Sequence, residues 1–126
     1  MAKPQSITMA VHTGDVSADT DSLGAVHGQS GEWKLTAASY IPTTATADGS
    51  SNKYTITLKQ GSTSISSALD SDAAGWDVGT AYAFTLSAAG PSLEFGAADV
   101  LKMTLDETGT ATMAGNVFLT FEQERA

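Results

Sequence analysis

The stretch Ala47 to Leu58, ADGSSNKYTITL, constrains the fold of this chain more than any other. A polar turn opens into strict alternation of Tyr54, Ile56 and Leu58 with Lys53, Thr55 and Thr57. A side-chain period of two gives a strand one wet face and one buried face. The same rhythm returns in Tyr82, Phe84 and Leu86, in Leu101, Met103 and Leu105, and in Val117, Leu119 and Phe121, each set bounded by Gly, Asp, Asn or Ser. About eight short strands at this spacing, with no helical heptads, predict an all-β fold. The expected form is an antiparallel β-sandwich, jelly-roll-like, rather than a βαβ arrangement.

Punctuation between the strands sets the organisation. Pro4 keeps the first residues extended, and Ile7, Met9 and Val11 then alternate with Thr8, Ala10 and His12 as a first strand or arm. Thr13 to Ser22, TGDVSADTDS, reads as an acidic loop, so residues 1–22 form an N-terminal strand or arm with an acidic loop and residues 23–126 the sandwich body of a single domain. Leu23 to Val26 is a short strand. In Glu32 to Ile41 the alternation of Trp33 and Leu35 breaks down toward Tyr40, which predicts a bulge or a switch to the second sheet, with Pro42 ending the strand. Thr63, Ile65, Ser67 and Leu69 read as a weaker strand nearer an edge, and Asp70 to Thr80, DSDAAGWDVGT, as a loop. Gly109 and Gly115 are placed to permit a tight reversal before the last strand, and Gln123 to Ala126 read as an exposed tail.

No constellation of residues reads as a catalytic centre, and the expectation is a non-enzymatic protein without cofactor or metal. His12 and His27 are lone histidines, and no serine sits in a G-x-S-x-G elbow. Asp15, Asp19 and Asp21, and again Asp70, Asp72 and Asp77, lack the glycine and terminal glutamate of an EF-hand loop, so they read as solvated loop carboxylates. Asp48, Asp70, Asp99, Asp106 and Glu107 lie in turn-like contexts that suggest no paired glycosidase carboxylates. Trp33 alternates with Leu35 and belongs to the core. Trp76, in a Gly and Asp loop, is the better candidate for ligand or partner binding, with Tyr40 as a second aromatic for a stacking platform.

Six Lys and Arg against fourteen Asp and Glu give a net charge of -8, which disfavours nucleic acid and keeps exposed sheet edges of neighbouring molecules apart. There is no cysteine, so nothing rests on thiol chemistry. No apolar run suggests a signal or a membrane span, and cytosolic synthesis is expected.

The order of segments adds a resemblance. Thr46 to Gly61, TADGSSNKYTITLKQG, is followed by Ala68-Leu69-Asp70, then AYAFTLS at Ala81 to Ser87, FGAADVLKMTL at Phe95 to Leu105, and GTATMAGNVFLTF at Gly109 to Phe121. Over roughly the C-terminal two thirds this resembles small tailed-phage virion proteins of the capsid decoration (cement or head-fibre base) type. Where those carry a plain "aGD", this chain has Gly96-Ala97-Ala98-Asp99. The resemblance implies a β-sandwich on the capsid exterior, made in the host cytoplasm, with the major capsid protein as partner, no enzyme activity, and assembly as a dimer or trimer. Its expected contact segment with the capsid or a second subunit is the N-terminal strand, through Lys3, Ile7, Met9 and Val11. The rival expectation is a carbohydrate-binding or adhesin-like module, including a head- or tail-fibre component, that meets a surface glycan through Trp76 or Tyr40.

Overall fold

The computed structural model describes residues 5–14, 20–26, 31–46, 49, 51–72, 74–87, 93–96 and 99–125. Within them the chain forms β1 (Ser6–His12), β2 (Thr20–Val26), β3 (Glu32–Thr44), β4 (Lys53–Gln60), β5 (Thr63–Ser64), β6 (Leu69–Asp70), β7 (Tyr82–Ala83), β8 (Glu94–Phe95), β9 (Val100–Thr108) and β10 (Ala114–Arg125). One sheet runs β1-β10-β3, with β7 and β8 both on the far side of β3. The other runs β2-β9-β4, with β5 and β6 both on the far side of β4. Every pairing is antiparallel. Counting each pair of two-residue pieces as one broken edge strand turns this order into the eight-stranded jelly roll that the alternating patterns predict.

The alternation is obeyed where it is cleanest. Tyr54, Ile56 and Leu58 of β4, Leu101, Met103 and Leu105 of β9, and Val117, Leu119 and Phe121 of β10 all turn inward and meet in one hydrophobic cluster that draws on both sheets. Trp33, Leu35 and Phe95 join them, and Phe95 packs edge-on against Phe121 at 5.4 Å between ring centres.

The broken rhythm of β3 is a bulge, not a change of sheet. Leu35 pairs with Phe121 and Ala37 with Thr120, leaving Thr36 without an opposite number. The extra residue reverses the parity, so Trp33 and Leu35 face inward before it and Ala38 and Tyr40 after it. Pro42 does not end this strand. It lies inside β3 opposite Gly115, beside a second register shift, and β3 continues to Thr44. Gly115 likewise lies within β10 rather than in the turn, where Gly109 alone carries a positive φ of 75°. The C-terminal segment is not a loose tail either, since Gln123 pairs with Trp33 and Arg125 with Glu32.

Candidate functional site

β1 lies along the outside of β10 in an unbroken register from Ser6↔Glu122 to His12↔Asn116. Its inward side chains Ile7, Met9 and Val11 are half-buried at the rim of the core. Its outward side chains are held by neighbours on β10: the Thr8 and Thr120 hydroxyls are 3.1 Å apart, and His12 Nδ1 lies 3.1 Å from Asn116 Oδ1. Of the two readings of this segment, strand or arm, β1 takes the form of an edge strand, and β2 begins at Thr20, within the stretch expected as a loop. Lys3 lies outside the described residues, as do Asp15, Asp19, His27 and Asp48.

Trp76 is not an open stacking platform. Its side chain is 1% exposed, and its backbone exchanges two hydrogen bonds with Thr46, at 2.9 and 2.8 Å. Gly75 and Gly79, at φ of 68° and 81°, bend the loop back onto the sandwich; Gly75 N–H donates to the Ser71 carbonyl and Gly79 N–H to that of Pro42. The indole packs edge-on against Tyr40, ring centres 5.0 Å apart, and tilted against Tyr82 at 6.5 Å. Tyr40 is itself fully buried, and burial pushes its hydroxyl well above the usual phenol range. Both aromatics expected to bind a ligand are core residues, buried because the β3 bulge turns Tyr40 inward and the loop that carries Trp76 closes over it.

The second acidic loop is also built into the frame. Asp70 sits on β6 and accepts hydrogen bonds from Lys53 Nζ at 3.0 Å and from the Asp72 N–H at 3.0 Å. Burial pushes its carboxyl up, but the hydrogen bonds from Lys53, Asp72 and Thr55 outweigh that and hold it below the ordinary aspartate range. Asp77 donates its N–H to the Tyr82 hydroxyl at 2.8 Å. Asp106 and Glu107 belong to β9 and not to a turn. Among the described residues no three His, Asp or Glu side chains gather in a metal-binding arrangement.

Described residues also line two clefts. One of about 360 Å³ is lined by Glu32, Gln60, Glu94, Phe95, Gly96 and Asp99, an acidic mouth at one end of the sandwich. Its walls are tied: Gln60 Nε2 donates to the Glu94 carbonyl, and Asp99 Oδ2 accepts from the Gly96 N–H at 2.8 Å. The other, about 350 Å³, is uncharged and lined by Ala45, Asn52, Thr110, Ala111 and Thr112. Sequence spacing indicated neither, because each collects residues from segments far apart along the chain.

No family model matches the chain, and no curated protein matches it. Among solved structures, a chain from "Structure of infectious bursal disease virus Gt strain" aligns at 9% identity and a TM-score of 0.18, over 99% of this chain and 40% of that one. A likeness that slight carries no argument.

Proposed function

We propose that this chain is a non-enzymatic structural protein of a tailed-phage virion, binding the outer capsid surface as a decoration or cement protein that stabilises the head. The observation that carries the reading is where the resembling segments fall. Thr46 to Gly61 contains β4, Phe95 to Leu105 leads into β9, and Gly109 to Phe121 leads into β10, three of the four inner strands of the jelly roll, while Ala68 to Asp70 and Ala81 to Ser87 fall on the edge pieces β6 and β7. The longest resembling segments thus lie on inner strands of the two sheets, which suits a protein whose work is mechanical. A DNA-filled head is under internal pressure, and a stiff body bridging neighbouring capsomers adds a modest contact repeated at every lattice point. The major capsid protein is the partner, the virion exterior is the location, and the protein acts as a homo-oligomer.

Cosedimentation tests this. Purified protein is mixed with empty heads assembled from the phage's major capsid protein, and bound copies and head melting temperature are measured. Saturable binding at a fixed ratio to capsomers, with a raised melting temperature, is the expected result. Heads that neither retain the protein nor gain stability would overturn the reading.

A further inference from the structure

The two long outer strands of the sandwich are protected very differently. β2 carries Asp21 and a register shift between Asp21 and Leu23. β1, SITMAVH, has no Lys, Arg, Asp or Glu, no proline and no break in its seven-residue register. Charge, proline and bulges are the devices that keep sheet edges from pairing with other chains, and β1 has none of them.

Its free edge can be read from the ladder. Gln123 N–H donates to the Gln5 carbonyl and Thr13 N–H to the Gly115 carbonyl, so the odd-numbered residues of this segment turn their backbone groups toward β10. The N–H and C=O groups of Ser6, Thr8, Ala10 and His12 then point away from the sheet. Among the described residues no other backbone pairs with them.

We propose that this edge pairs with the same edge of a second copy, antiparallel about a two-fold axis at Met9, joining two β1-β10-β3 sheets into one continuous sheet. In that register Ser6 faces His12 of the second copy and Thr8 faces Ala10, so every outward backbone group on both strands finds a partner. Met9 meets Met9 of the second copy, and Ile7 meets Val11, as non-hydrogen-bonded pairs with the closest side-chain approach. The half-buried apolar stripe of one copy thereby covers that of the other. Charge favours the same place: each copy carries a net charge of -8, and none of the seven residues of β1 is a Lys, Arg, Asp or Glu. The interface is isologous, as a two-fold axis requires. It deepens the oligomeric part of the proposed function but stands on β1 alone, so it is tested without capsids.

The chain has no cysteine, which makes a single introduced thiol unambiguous. Met9→Cys is expected to form a disulfide-linked dimer on mild oxidation, while Thr8→Cys and Val11→Cys, each off the axis, crosslink far less. Sedimentation velocity of the unmodified protein should show a monomer–dimer equilibrium that tightens severalfold as salt screens the net charge. Ala10→Pro removes an outward N–H without touching the ladder to β10, and should leave a folded monomer by circular dichroism. A protein monomeric at all concentrations and salt levels would overturn the proposal. So would a dimer that tolerates Ala10→Pro, or one that crosslinks best away from residue 9.

Discussion

Ser66 and Ser71 each supply a side-chain oxygen where β4 would otherwise need another strand. Leu58 N–H donates to Ser66 Oγ at 3.0 Å, and Tyr54 N–H donates to Ser71 Oγ at 3.0 Å. The Ile65 and Ser71 backbone N–H groups return to the carbonyls of Leu58 and Tyr54. Both serines are buried, so water does not replace a lost oxygen cheaply. Ser71→Ala is expected to lower unfolding free energy by about 1–3 kcal/mol, the usual cost of a buried donor left unpaired, and Ser66→Ala by a similar amount. Urea titration measures it, with exposed Ser67→Ala as the control that stays within about 0.5 kcal/mol. Serines indistinguishable from that control would mean that β4 holds its edge without them.

The close approach of β10 to β3 is set by Gly115. It is buried, exchanges hydrogen bonds with Thr13 through that residue's N–H and hydroxyl, and a Cβ there would lie 2.6 Å from the Ile41 carbonyl oxygen and 2.6 Å from the Tyr40 ring. Gly115→Ala should therefore destabilise by about 1–3 kcal/mol through overpacking, read as a fall in urea midpoint. An unchanged midpoint would show that β3 yields without cost. This glycine also marks the limit of what the sequence reveals. β4, β9 and β10 were legible because their apolar residues keep one parity and face one core. β5 and β6 were legible only as one weaker edge strand; the break between them was not, because Ile65 and Ser66 are buried side by side and Ser66 bridges to Leu86. The site expectations fared less well for a related reason. Gly and Asp around Trp76 signal a turn, but not whether that turn faces water or folds over Tyr40, a choice made by the β3 bulge and two positive-φ glycines.

At the scale of the whole molecule, an excess of carboxylates makes pH a probe of which acids are held and which merely repel. Protonating surface carboxylates as pH falls relieves the net charge of -8 and stabilises the compact state. Asp70 works in the opposite direction. Its carboxyl is held below the ordinary aspartate value, so its contribution is present above the unfolded-state pKa, about 3.9, and is lost as pH falls through the lower folded value. Its partner Lys53 is raised, by the hydrogen bond to Asp70 first and then by the nearby charges of Asp70 and Asp72. The lysine's contribution is therefore complete below its unfolded pKa, about 10.4, and is lost as pH rises through the higher folded value. The pair is partly exposed, so the effect is small. Asp70→Asn should lower the melting temperature by a few degrees at neutral pH, with the gap to the unmodified protein closing at both extremes. Paired thermal melts across pH isolate this pair, since general charge repulsion acts on both proteins nearly alike. A gap that stays constant through the acid limb would show that the ionisation of Asp70 contributes nothing to it and would overturn the prediction.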